Sequence, residues 1–180
     1  MDIKSDRIST KYAQAFFNLY GPELCEQDFW LIKKVIVFLS KNKTVLIYFN
    51  TPDLSERQKI KQIFLTHFRL HSSFGSLLIL LQKHHRIELL ANILQAILEI
   101  FLIKNKQLFF KLNSYPVLLP DQTKKVINYL KQATGYDILY EQLENLNLIA
   151  GLKLQSTQFL YNDSIQHRLQ KIHRKLIRQN

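Results

Sequence analysis

Lys104-Asn105-Lys106-Gln107-Leu108-Phe109-Phe110-Lys111-Leu112-Asn113-Ser114-Tyr115-Pro116 divides the chain. Upstream of it, apolar residues recur at the three-and-four spacing of amphipathic helices. Within it, Leu108, Phe110 and Leu112 alternate with polar or outward positions as in a strand, and Ser114-Tyr115-Pro116 stops the run. The change of period predicts a mainly α protein of two units: a six-helix bundle over 1–106 and a small α+β module over 107–180.

Working back from that stretch, Ile87 to about Lys106 reads as the sixth helix. It is apolar enough to resemble a membrane span until Glu88, Asn92, Gln95 and Glu99 are plotted, because their spacing lines them up as one polar stripe. Spanning would place two carboxylates in hydrocarbon, at roughly 2.5–3.5 kcal/mol each, so a water-facing amphipathic helix is expected. Phe74 to Lys83 forms the fifth helix, capped by Ser72 or Ser73 and followed by the polar break His84-His85-Arg86. The fourth begins after Asn50-Thr51-Pro52, capped by Asp53 or Ser55, and buries Ile60, Ile63, Phe64 and Phe68. Val45 to Phe49 makes a short third helix. The second, Gln27 to Ser40, carries Phe29, Ile32, Val35, Ile36 and Leu39 on one side with Trp30 at the edge. The first, Arg7 to Tyr20, carries Ile8, Tyr12, Phe16 and Leu19, with Ala13 and Ala15 small enough for close contact, and Gly21-Pro22 ends it.

Working forward, Pro120-Asp121 opens a helix bearing Val126, Ile127 and Leu130, which Gly135 closes. Tyr136 to Tyr140, Leu148 to Leu154 and Gln158 to Tyr161 read as strands, the last returning from a turn at Gln155-Ser156-Thr157. Asp163 or Ser164 caps a final helix with the apolar seam Ile165, Leu169, Ile172 and Leu176, and with Arg168, Lys171, Arg174, Lys175 and Arg178 on its other faces.

The composition offers surfaces rather than a reaction centre. Gly21, Gly75, Gly135 and Gly151 stand far apart and form no phosphate-cradling loop. His67 and His71 are four apart, but no Glu follows His67 as a zinc-hydrolase helix requires, and the adjacent His84 and His85 diverge by about 100° on a helix. No serine lies in a nucleophile elbow, and no pair of carboxylates suggests acid–base chemistry. Cys25 is the single cysteine, which excludes an internal disulfide and fits a reducing compartment. We therefore expect no catalytic residue, cofactor or metal. The first residues are acidic where a targeting peptide would be basic, so no secretory or transit peptide is expected. The formal net charge of +11 is spread over both halves. It admits acidic proteins, anionic membranes or nucleic acid as partners without choosing among them.

Two ends of the chain carry a resemblance. Ile8-Ser9-Thr10-Lys11-Tyr12-Ala13-Gln14-Ala15-Phe16-Phe17 resembles the basic-Tyr-Ala-x-Ala opening helix of delta subunits of F-type ATP synthases. Asn145-Leu146-Asn147-Leu148-Ile149-Ala150-Gly151-Leu152-Lys153-Leu154-Gln155 is similar to that family's Leu-Ile-Gly/Ala-Gly signature. Phe159 to Leu169 is similar to its closing hydrophobic-Asp-x-Ser strand and helix, with Asp163, Ser164, Arg168 and Leu169 in the matching places. Between the ends, Leu77 to Arg86 resembles the family's Leu-Leu-x-x-basic-x-Arg helix end. Asn162, His85 and Tyr115-Pro116 depart from the family pattern, which bears on local turns rather than on the likeness as a whole.

The resemblance implies a non-catalytic stator subunit, peripheral on the cytoplasmic face of a bacterial inner membrane or the matrix or stroma face of an organelle. It implies that the first unit grips the N-terminal helix of an α subunit at the top of the catalytic head. The second unit, by the same resemblance, holds b-type peripheral stalk subunits, and rotor torque is resisted between the two during proton-driven ATP synthesis. A helix laid in a groove needs apolar anchors, which places the receiving face along the first and fifth helices. The candidates are Ala13, Phe17 and Tyr20 on the first, Leu78, Ile79 and Gln82 on the fifth, and Trp30 nearby. Leu148, Ala150 and Gly151 join the four closing residues as the structural signature. The alternative is a basic helical nucleic-acid-binding adaptor working through the C-terminal helix. A peripheral membrane protein is a third reading.

Overall fold

A computed structural model describes residues 3–42, 44–49 and 54–177. The expected break at Asn50-Thr51-Pro52, the cap at Asp53 and Arg178 lie outside these residues. The side chains of Ser55, Lys175 and Leu176 also lie outside the description. The chain is mainly helical and divides into two compact units, 1–101 and 102–180, the division falling inside the last turn of the sixth helix.

The first unit contains α1 (Ile3–Tyr20), α2 (Glu26–Lys41), α3 (Val45–Tyr48), α4 (Leu54–Phe68), α5 (Ser72–Lys83) and α6, which begins at Leu90 and runs to Lys104. A short 3-10 turn, Ile87–Leu89, leads into α6, so the helix read from Ile87 is in fact two pieces. Leu90, Ile93, Leu94, Ile97, Leu98 and Phe101 are its buried side, and each such side chain contributes roughly 1.5–3 kcal/mol by leaving water. The opposite polar stripe faces outward, and the Gln95 side-chain amide donates to Glu99 at 3.2 Å. No described helix is long and apolar enough to cross a membrane. Aromatic edges join the other helices: Phe16 to Phe74 at 4.9 Å, Phe29 to Phe101 at 5.9 Å and Phe49 to Phe64 at 5.3 Å between ring centroids. Each contact adds about 0.5–1.5 kcal/mol beyond burial.

Two expected core positions are instead exposed. On α1 the buried residues are Ser9, Ala13 and Phe16, so at 100° per residue the inner face is turned by roughly 60–80° from the stripe of large residues. Small side chains let the backbone approach closely, and Leu19 is left outside. On α4, Ile63 is exposed because Ile60, Phe64 and Phe68 already define the inner direction and Ile63 lies about 100° from Phe64. The α5 cap is also different. His71 holds the N-cap position, with Nδ1 accepting from the Ser73 backbone N–H at 3.4 Å and lying 3.0 Å from the Ser73 hydroxyl.

The second unit is β1 (Gln107–Tyr115), α7 (Pro120–Thr134), β2 (Asp137–Glu144), β3 (Gly151–Gln155), β4 (Leu160–Ser164) and α8 (Ile165–Ile177). The sheet order is β2-β1-β3-β4. β1 and β2 run parallel, Leu108 beside Ile138 and Leu112 beside Gln142, which demands a crossover, and α7 supplies it. β1–β3 and β3–β4 are antiparallel. Phe110, Leu112, Ile138 and Leu154 meet Ile127 and Leu130 of α7 in one core. Gly135 ends α7 at φ 72°, the left-handed cap that glycine adopts without a Cβ penalty. Of the strand expected over Leu148 to Leu154 only the part from Gly151 forms: Leu146–Leu148 is a 3-10 turn, and β3 runs Gly151–Gln155.

Candidate docking surfaces

In the first unit, α1 and α5 are joined by the Phe16–Phe74 contact and by Arg86, whose guanidinium donates to the Tyr12 hydroxyl at 3.3 Å. Two of the six residues proposed for this face are core residues: Ala13 is 0% exposed and Leu78 2%. Leu78 and Ile79 are neighbours on a helix and point about 100° apart, and it is Leu78 that faces the core. Ile79 is the outward one, 51% exposed, and Leu80 beside it is also exposed. Phe17 and Tyr20 are half-buried. The Phe17 ring lies over Gly21, where an added Cβ would meet it at 2.6 Å, and the Tyr20 ring lies tilted against Phe16 with centroids 5.2 Å apart. Gln82 has a structural task, its amide donating to the Phe49 carbonyl at 3.0 Å and so tying α5 to the end of α3. Trp30 is half-buried, edge-on to Phe29 at 5.4 Å, with the Lys33 ammonium 5.2 Å from its ring centre. Leu19, expected on the apolar face of the first helix, and Leu80 are both exposed, because helical periodicity alone does not show which part of a stripe is left uncovered.

The second surface gathers the signature residues. Leu148 is buried under the turn, and Ile149 takes φ 64° and ψ −57°. The Ala150 N–H then donates back to the Leu148 carbonyl at 2.7 Å, closing a γ-turn of the rarer, strained hand. Gly151 follows at φ 110°, and a Cβ there would fall 2.4 Å from the Asp163 carbonyl oxygen. The signature glycine is therefore required by β4 passing against its backbone. The Ile165 N–H donates to the Ala150 carbonyl at 2.9 Å, binding this turn to the start of α8. Ser164 is the cap of α8: its hydroxyl accepts from the His167 N–H at 3.2 Å and donates to Asn162 at 2.8 Å. Asp163 instead accepts from Arg168 Nε at 3.0 Å. That hydrogen bond, with the attraction of the carboxylate charge, raises the Arg168 guanidinium further above its ordinary range. Leu169 stands outside, 53% exposed.

Neither unit assembles a reaction centre among its described residues. No group of three His, Cys, Asp or Glu is placed to hold a metal. His67 packs edge-on against Phe68 at 4.9 Å while His71 is the α5 cap. Cys25 is exposed at the start of α2, where its N–H and thiol both reach Asp28, at 2.9 and 3.1 Å. A cavity of about 760 Å³ opens between α7 and the β3–β4 hairpin, walled by Val126, Tyr129, Leu154, Phe159 and Tyr161.

The ATP synthase delta (OSCP) subunit family model matches residues 8–176, spanning both units. A curated relative, ATP synthase subunit delta of Geobacillus sp. (strain WCH70), is 25% identical over 174 residues, covering 94% of this chain and 97% of its own length. Among solved structures, a chain in the cryo-EM structure of the Toxoplasma gondii mitochondrial ATP synthase hexamer shares the fold. Its TM-score is 0.64 at 16% identity, over 94% of this chain and 97% of that one. With the family pattern running through both units in order, the chain belongs to the ATP synthase delta (OSCP) subunit family.

Proposed function

We propose that this chain is a stator subunit of an F-type ATP synthase, fastening the catalytic head to the peripheral stalk so that rotor torque does work on the head instead of spinning it. The observation that carries the reading is the family match from residue 8 to 176, which takes in both units and therefore both ends of a connector. The work is mechanical and the chain itself is not an enzyme. Two separately packed units, each with its own exposed apolar residues, suit a part that binds one protein at each end.

In this reading the first unit holds the N-terminal helix of an α subunit. Ile79 is an outward apolar anchor, Phe17 and Tyr20 are half-buried shoulders, and Leu19 and Leu80 extend the face. Ala13 and Leu78 shape it from beneath and Gln82 keeps α5 in place. Trp30 stays a proposed neighbour of that face. The second unit, residues 102–180, holds b-type stalk subunits. The complex places the chain at the cytoplasmic face of a bacterial membrane, or the matrix or stroma face of an organelle, through its partners alone.

Affinity purification of the tagged full chain from membranes tests this. Catalytic-head and b-type subunits are expected in the eluate, with Ile79→Asp losing the head and keeping the stalk. Consistent absence of both from the wild-type eluate, with salt-sensitive sub-micromolar nucleic-acid binding in gel shifts, would replace the reading by the adaptor function that the basic α8 allows.

A further inference from the structure

We infer that the open edge of β2 is a seat for an extended polypeptide segment, which joins the sheet as a further strand and carries cationic side chains along one face. The seat does not depend on the stator reading, since neither the head nor the stalk is needed to occupy it.

β2 closes one side of the sheet, whose order is β2-β1-β3-β4. Its register with β1 is unbroken from Gln107–Asp137 to Ser114–Glu144. At one end the Asp137 N–H donates to the Lys106 carbonyl, and just past the other the Asn145 N–H donates to the Ser114 carbonyl, both at 3.1 Å. In a parallel ladder alternate residues bond the same neighbour, so the odd-numbered positions of β2 serve β1. Ile138, Tyr140, Gln142 and Glu144 therefore turn N–H and C=O to the open side. Natural sheets blunt such an edge with proline, lysine, a bulge or a very short strand. β2 has eight residues and none of these devices. The opposite edge strand, β4, has only five residues, and its Asn162 and Asp163 side chains are engaged by Ser164 and Arg168.

Charge names the occupant. β2 holds Asp137, Glu141 and Glu144, three of the five acids in residues 102–180, and no base, in a chain of net charge +11. Asp137, Leu139, Glu141 and Leu143 share one face of the sheet, and Ile138, Tyr140, Gln142 and Glu144 the other. Lys131 holds Asp137 at 2.9 Å, and Lys111 lies beside Glu141 in the β1 register. A strand with bases opposite Asp137 and Glu141 extends that alternation of sign across the sheet. Tyr140 and Leu143, 41% and 42% exposed, offer it apolar contact on the two faces. A second copy of β2 is the poorer match, because two such strands would gather all their carboxylates on one seam with no base in either. The same acids thus reject the chain's own edge and admit one of opposite charge.

The probe is a synthetic peptide of about nine residues, alternating Lys and Val so that its lysines lie on the Asp137–Glu141 face. It is titrated into the full chain, with anisotropy reading affinity and amide hydrogen exchange reading the edge. Bound peptide is expected to slow exchange at Ile138, Tyr140, Gln142 and Glu144, and to bind at least about tenfold more tightly than a counterpart with Glu in place of Lys. N-methylating the peptide amides that face β2 should cost at least about tenfold in affinity, while methylating its other edge should not. Tyr140→Pro should cost as much, because the Tyr140 N–H gives no bond to β1 and an edge strand tolerates proline there. Glu141→Gln/Glu144→Gln should weaken binding severalfold, by less as salt rises. Absence of binding overturns the seat, and so does binding that N-methylation and Tyr140→Pro leave unchanged, which would be surface charge alone. A dimer in sedimentation with the same four amides protected hands the edge to a second copy. Should Tyr140→Pro fail to fold by circular dichroism, the methylated peptides decide on the wild-type chain. Each of these failures leaves the stator reading standing, because co-purified head and stalk subunits test that separately.

Discussion

Ile149 and Gly151, two positions apart, both have positive φ, and chemistry separates them. At Gly151 a side chain would collide with the Asp163 carbonyl and the Ser164 backbone, neither of which can give way without breaking the β3–β4 pairing. Gly151→Ala is expected to cost about 2–4 kcal/mol, combining an unfavourable φ with a backbone clash. At Ile149 the side chain is half outside and the backbone carries the penalty. Ile149→Gly should therefore leave stability within about 0.5 kcal/mol of wild type or raise it, relief of strain offsetting glycine's entropy. Urea unfolding of the two variants side by side checks both, and a loss at Ile149 as large as that at Gly151 would show that the turn is unstrained. The glycine was legible from its place in a strand-like run. The γ-turn was not, because nothing in the sequence marks an isoleucine for left-handed backbone.

Among the elements, α8 has a side-chain cap whose removal can be read directly. The Ser164 hydroxyl satisfies the His167 N–H and is itself held by Asn162, so Ser164→Ala is expected to cost about 1–2 kcal/mol. The loss should appear as reduced far-ultraviolet helicity at a lower urea concentration, and an unchanged midpoint would mean that the Asp163–Arg168 pair and the Ile165–Ala150 hydrogen bond secure the first turn without the cap. Long periodic runs such as α2, α6 and α7 could be read from sequence because large apolar residues at helical spacing leave one inner face. α1 was readable as a helix but not in its rotation, since Ser9 and Ala13 define the buried side by being small. The α5 cap escaped for a related reason: a histidine seldom caps, and the two serines after His71 are the residues that composition favours. Leu146–Leu148 sits in an alternating run that a strand and a 3-10 turn share, and only the pairing of Gly151 with Tyr115 and Ser164 fixes where β3 starts.

For the molecule as a whole, separate cores in residues 1–101 and 102–180 predict two calorimetric transitions. Gly151→Ala should lower one of them and leave the other in place, whereas a single transition moved as a block would mean that the two cores melt cooperatively. The candidate surfaces were less legible than the cores, because a docking face differs from a core face only in lacking a cover, and sequence periodicity is the same for both. Leu78 and Ala13 thus carry the periodicity of anchors while lying in the core. Cys25, the sole thiol, lies exposed where α2 begins. A maleimide fluorophore would therefore attach at one point of the native chain, so that polarised single-molecule emission could follow the tilt of residues 1–101 alone while an assembled motor turns.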